Sequence, residues 1–282
     1  MLDESFAAAA LVADRLGGPA DVPVTSGGRH PQAGLMRGSC GPALLFLHLY
    51  EYTGNTLWLG LVETALRQDL RRCVILDKDG SMHVNEGRRS LPYLAHGSAG
   101  IGLVLRRYLR HQPNEEFEAA AAAIRTACTS RFYAQSGLFA GRAGTILGLA
   151  DGGTDPGLDP ETAEQVQGLA WHAVSHDGTL AFPGDQLYRL SSDLATGAAG
   201  VLLALGAVLH SSPVYLPFLA PDPSSRPPKP VLVDAGTVPT TTGPGAAADA
   251  PRGPVIPRPQ SGGAPAEAGS RPPQTAPPVS HG

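Results

Sequence analysis

Residues 91–110 read Leu-Pro-Tyr-Leu-Ala-His-Gly-Ser-Ala-Gly-Ile-Gly-Leu-Val-Leu-Arg-Arg-Tyr-Leu-Arg, a glycine-paired turn that opens straight into an apolar helix. Gly97-Ser98-Ala99-Gly100 lies at the centre of this stretch, and the same device stands at Gly38–Gly41, Gly141–Gly144 and Gly197–Gly200. The first glycines of the four turns are 59, 44 and 56 residues apart. One Gly-x-x-Gly carries little information. Four of them, each ahead of an apolar run, mark an internal repeat. Glycine lets a chain turn sharply or approach a neighbouring backbone, and each turn sits where the N–H groups of a helix start are free. The runs that follow are apolar on nearly every side, as in helices buried all round. They are therefore read as inner helices.

Between them the pattern is amphipathic. Helices are expected over residues 4–16 (Phe6, Leu11, Val12 and Leu16 on one face), 56–72, 114–129, and from Asp159-Pro160-Glu161 to about His176. Inner helices are expected over 38–53, 98–111, 142–150 and 198–210. A hairpin is read from Val74-Ile75-Leu76 and Ser81–Val84 about the turn Asp77–Gly80. The order is outer, inner, four times over, which predicts an all-α fold of two helix layers, an α/α toroid or solenoid. Four pairs are fewer than a closed ring takes.

The chain has 282 residues, is 42% hydrophobic and 16% charged, and carries a formal charge of −4. This balance argues against nucleic-acid binding and against an anionic membrane partner. No apolar run approaches a membrane span, and the start lacks a basic segment ahead of its alanines. Cys40, Cys73 and Cys128 are scattered, as suits small buried hydrophobes in a reducing compartment. A soluble, cytoplasmic protein is expected. Residues 221–282 hold 16 of the 27 prolines and no aromatic residue. Such a segment cannot offset its ordering entropy. The expectation is a folded region over 1–220 and a disordered tail over 221–282.

The turns with their flanks, Gly34–Gly41, Tyr93–Gly100, Ser136–Gly144 and Asp193–Gly200, resemble the lanthionine synthetase C-like cyclases. The likeness is greatest to the carboxy-terminal cyclase region of class III lanthipeptide synthetases, in which a lyase and a kinase domain come first. The resemblance implies an α/α toroid, here an incomplete ring of about four pairs, whose inner-helix starts face a cavity. There a cysteine thiol of a precursor peptide adds to dehydroalanine or dehydrobutyrine to give lanthionine or labionin rings. Zinc-bearing members hold the metal through one Cys ahead of one turn and a Cys-His pair ahead of the last. Those slots hold Phe139, Ala195 and Thr196 here, and none is a zinc ligand. No metal or other cofactor is expected.

Without a metal, thiol activation falls to a base or to positive charge. The resemblance puts His96, just before Gly97, in the acid/base position, and its ordinary pKa suits both proton transfers at neutral pH. A histidine that caps the helix is the competing reading. Arg37 and Arg142, at two helix starts, are candidates to stabilise the enolate or thiolate, or else are solvated or paired arginines. Tyr93 could donate a hydrogen bond to the substrate or serve as packing. Gly97, Gly141 and Gly197 mark the substrate-facing turns. His48, His83 and His172 show no ligand spacing and are read as structural. The partners implied are the precursor peptide and the missing amino-terminal lyase and kinase region. The isolated chain is expected to cyclise poorly, and to oligomerise or require that region. A non-catalytic peptide-binding scaffold is the alternative. A glycosidase lacks the carboxylate pair it would need at the turns.

Overall fold

Glycine pairs and apolar runs shape the first half of each repeat, and the computed structural model of the chain realises them as a series of helices. It describes residues 2–23, 32–150, 158–210, 215–216 and 218–219. The chain divides into two units, 1–233 and 234–282, and every described residue lies in the first. The expected tail over 221–282 lies outside the described residues.

The fold is predominantly helical. The described elements run α1 Leu2–Asp14, α2 Cys40–Thr53, α3 Leu57–Leu70, β1 Cys73–Ile75, β2 Met82–Asn85, β3 Ser90–Leu91, α4 Ser98–Leu109, α5 Glu115–Ala127, α6 Arg142–Leu149, α7 Pro160–Gly168, β4 Val174–His176, β5 Thr179–Ala181 and α8 Ala198–Leu209. Helices α2, α4, α6 and α8 pack one against the next, while α3, α5 and α7 lie against α2, α4 and α6 respectively. Local chemistry sets the starts of α5 and α7. The Asn114 side chain accepts from the Phe117 amide (3.1 Å) and Asp159 accepts from the Thr162 amide (3.0 Å), with Pro160 opening α7.

Three expectations need correction. The helix read to His176 ends at Gly168, continues as a 3-10 turn to His172, and gives way to the hairpin β4–β5. Val174, assigned to its apolar face, is an exposed strand residue. Leu11, assigned to the inner face of the first helix, is exposed, while Ala9 and Leu16 are buried there. The first hairpin occurs as read, one residue displaced, and a third strand, β3, joins it.

Beside a small cluster of Ala99, Cys128 and Leu149, the main core cluster includes Phe46, Leu47, Leu66, Leu94, Ile101, Leu105, Tyr108, Phe117 and Ile146. Within it the four turns stack in register. The Met36 amide donates to the Ala95 carbonyl (2.8 Å), Ala95 to Phe139 (3.0 Å) and Phe139 to Ala195 (3.0 Å). Each of these residues stands two places before the first glycine of its turn. The second glycines receive a side chain from the turn before. A Cβ on Gly100, Gly144 or Gly200 would lie 2.8, 2.9 or 2.7 Å from the Cβ of Leu35, Leu94 or Leu138. It would also strike the carbonyl of Leu94, Leu138 or Leu194. The repeat is therefore a backbone ladder that only glycine lets close.

Gly144→Ala tests this. Alanine gains helix propensity over glycine, but its methyl would meet the Leu138 carbonyl and the Leu94 side chain. The expected result is a loss of about 1–3 kcal/mol in urea denaturation, the range for overpacking a dense core. A neutral or stabilising effect would show that the turns are not in this contact.

Candidate functional site

The turn Tyr93–Gly97 is held from both sides by the ladder, through Met36 and Phe139. This fixes His96 between the first turn and the β2–β3 loop. Gly34 enters the contact with φ of +106°, and a Cβ there would sit 2.7 Å from the Gly97 amide nitrogen. His96 is half-buried, and its ring lies 6.2 Å from the Tyr93 ring, centroid to centroid. The ring nitrogens of His96 make no hydrogen bond among the described residues. Helix α4 begins at Gly97 with no side-chain cap. The capping role considered for His96 therefore does not occur.

Burial lowers the His96 pKa below its ordinary value, opposed by the charge of Glu86 and reinforced by those of Arg37 and Arg89. The imidazole is thus neutral at pH 7 and able to accept a proton. Tyr93 is shifted the other way: burial raises its phenol above 10, so it stays protonated and able to donate. Arg37 is exposed and reaches Gln32 (3.4 Å). Tyr93 therefore lies beside His96, and the charge of Arg37 reaches it. Glu86 and Arg89, which the sequence reading did not single out, belong to the same electrostatic group. Their signal is their place in a polar loop, Asn85–Arg89, that only strand pairing brings back to the turn.

Arg142 is elsewhere. Its guanidinium is buried, donates to Gln165 Oε1 (2.6 Å) and to the Arg131 carbonyl (2.8 Å), and lies 5.0 Å over the Tyr133 ring. It also packs against Gly168, where a side chain would collide with it. Arg142 fastens the third turn to α7. Gly97, Gly141 and Gly197 are buried, and nearby helix-start amides are already engaged. Arg142 donates its amide to Gln135, Ala143 to Ser136 and Ala198 to Ser191. These glycines shape turns rather than present open donors.

The three zinc-slot positions come together, since the Phe139 amide donates to the Ala195 carbonyl and the backbone of Thr196 covers Gly137. Phe139 and Ala195 offer no donor side chain, and the Thr196 hydroxyl is given to Asp193 (2.8 Å). The residues present do not fit a zinc ion. Among the described residues no cluster of three or more His, Cys, Asp or Glu is placed to hold a metal, and no helix is long and apolar enough to cross a membrane. Cys40 and Cys128 are buried free thiols, with pKa values raised by desolvation first. Burial and the raised pKa both disfavour the thiolate at neutral pH.

On the far side of the helices lies a second polar group. Glu51 takes the Arg107 Nε (2.8 Å) and His111 Nε2 (3.0 Å), and His48 Nε2 meets the Phe218 carbonyl (3.0 Å). Burial raises the Glu51 pKa, but the Arg107 and His111 hydrogen bonds outweigh it and hold the group at about 2. This cluster ties Phe218 to α2 and α4.

No known family profile matches the chain. It is 50% identical over 192 residues to the probable SapB synthase of Streptomyces coelicolor, an alignment that takes in 67% of this chain. The same alignment covers 20% of that relative, so the chain spans about a fifth of its length.

Proposed function

We propose that this chain is a zinc-independent cyclase region in lanthipeptide biosynthesis, acting on a dehydrated precursor peptide. The observation that carries it is the 50% identity over 192 residues to a probable SapB synthase. The groups around His96 supply a chemistry that fits. In this reading residues 1–220 form the cyclase region, an arc of an α/α toroid with four outer/inner pairs. Residues 221–282 form an appended proline-rich tail. The lyase and kinase steps that dehydrate the peptide belong to further domains of a longer synthetase, and the reaction takes place in the cytoplasm.

His96, neutral at pH 7, takes the proton from a precursor cysteine thiol. The thiolate sulfur attacks the β-carbon of a dehydroalanine or dehydrobutyrine. A C–S bond forms, the C=C π bond breaks, and its electron pair moves to the carbonyl oxygen as an enolate. The protonated imidazole then returns its proton to the α-carbon, which closes the thioether and restores His96. Where the enolate formed is trapped by a second dehydroalanine instead, a carbocycle results. The phenol of Tyr93 and the charge of Arg37 stabilise the enolate oxygen. Arg142, Gly141 and Gly197 serve by holding the neighbouring turns.

The alternative is a scaffold that binds the peptide without chemistry. It is separated by following both binding and ring formation on a chemically dehydrated precursor. The cyclase reading requires thioether rings to form faster than in buffer. Binding with ring formation at the buffer rate would assign the chain to the scaffold.

A further inference from the structure

We infer that the two ends of the helix series are complementary and join head to tail between two copies of this chain. The inference stands apart from the chemistry proposed above.

Each step of the ladder has a giving side and a receiving side. The giving side is an amide at the second position before the glycine turn, together with the leucine before it. The receiving side is the equivalent carbonyl and the second glycine. Leu35, Leu94 and Leu138 are buried, each on the second glycine of the following turn. Leu194 is their equivalent in the last turn, and it is 41% exposed. The Ala195 amide has no following carbonyl among the described residues and turns back to the Asp193 carboxylate. Among the described residues nothing covers Leu194, while the amide beside it is held by Asp193.

The first turn shows the converse. Gly41 corresponds to Gly100, Gly144 and Gly200, but a Cβ on it would meet no side chain, only the Leu35 carbonyl at 2.9 Å. The Met36 carbonyl, which corresponds to the accepting carbonyls of Ala95, Phe139 and Ala195, takes no hydrogen bond among the described residues. Among the described residues, nothing covers the receiving side of the first turn.

The helices continue the mismatch. Helix α8 carries no charged residue, yet Leu202 is 63% and Leu209 53% exposed, and the helix is not buried all round as its composition predicts. On α2 and the loop ahead of it, Tyr52 is 58% and Met36 54% exposed. Helices α2 and α8 stand at the two ends of the series α2–α4–α6–α8. Apolar side chains exposed at such ends are candidates for an interaction surface. Two tails meeting would set leucine against leucine. A tail meeting a head sets Leu194 on Gly41, as Leu35 sits on Gly100, which makes the contact heterologous.

The test uses two pairs of substitutions at exposed positions, so the fold is kept and is checked by circular dichroism. Leu202→Glu with Leu209→Glu blocks the tail, and Met36→Glu with Tyr52→Glu blocks the head. Light scattering coupled to size exclusion should show the wild-type chain as a dimer or larger. Each blocked chain alone should be monomeric, and the two mixed should form a one-to-one heterodimer through the remaining head and tail. A wild-type monomer at every concentration tested would overturn the inference. So would an oligomer that survives either pair, or blocked chains that stay apart when mixed.

Discussion

Asp69→Ala is expected to cost the fold about 3–5 kcal/mol in urea denaturation, the range for removing one partner of a buried charged contact. Asp69 lies on α3 and is fully buried. Its carboxylate accepts from the amides of Ser39 (2.8 Å), Gly34 (3.0 Å) and Cys40 (3.0 Å), which are the first turn and the start of α2. Desolvation, the largest effect on this group, raises its pKa, and the three amides oppose it. Alanine leaves three buried N–H groups without an acceptor, each costing about 1–3 kcal/mol, less what is regained by no longer burying a carboxylate. Neighbouring Gln68 donates to the carbonyls of Leu16 (2.7 Å) and Gly18 (2.8 Å) and accepts from Ser39 Oγ (2.7 Å). Two adjacent side chains of α3 thus hold the first turn and the segment just after α1. Domain stabilities are typically about 5–15 kcal/mol, so the variant should be partly unfolded near physiological temperature. A loss below about 1 kcal/mol would mean the turn is held by packing alone.

His96→Ala is expected to slow ring formation by about 10²-fold or more, the usual worth of a positioned acid/base, with the melting curve nearly unchanged. The ring is half-buried and makes no hydrogen bond among the described residues, so little structure depends on it. The pH profile separates catalysis from packing. The folded pKa of His96 lies below its ordinary 6.5, with desolvation the first cause. Its neutral form therefore persists below pH 6.5, and the rate should hold steady from neutral pH down past that point before falling. An acid limb centred above pH 6.5, or a variant as fast as wild type, would return His96 to a structural role.

The helices that follow the paired glycines, and the helix starts near Asn114 and Asp159, could be read from the sequence because each rests on local chemistry: apolar runs, absent Cβ atoms and short polar side chains. The hairpin β4–β5 could not. Val174 and His176 sit in a stretch whose apolar spacing continues the helix pattern, and only the turn at Asp177-Gly178, both with positive φ, reverses the chain. For the site, His96 and Tyr93 were legible from their place beside a repeated turn, whereas the destination of Arg142 was not. An arginine at a helix start reads the same whether it faces a cavity or, as here, is taken up by Gln165 on another helix. Asp69 was hidden for the same reason. Its partners lie about thirty residues away on a different element, and nothing in a polar helix face marks one carboxylate as buried.

The most direct measurement of the account is a count of free thiols on a dehydrated precursor peptide after incubation with the metal-stripped chain, read by alkylation and mass spectrometry. The account predicts that thiols disappear faster than in buffer, with no mass change beyond the missing alkyl adducts, and that added zinc leaves the rate unchanged. Thiols that persist as they do in buffer, or that disappear only when zinc is restored, would contradict it.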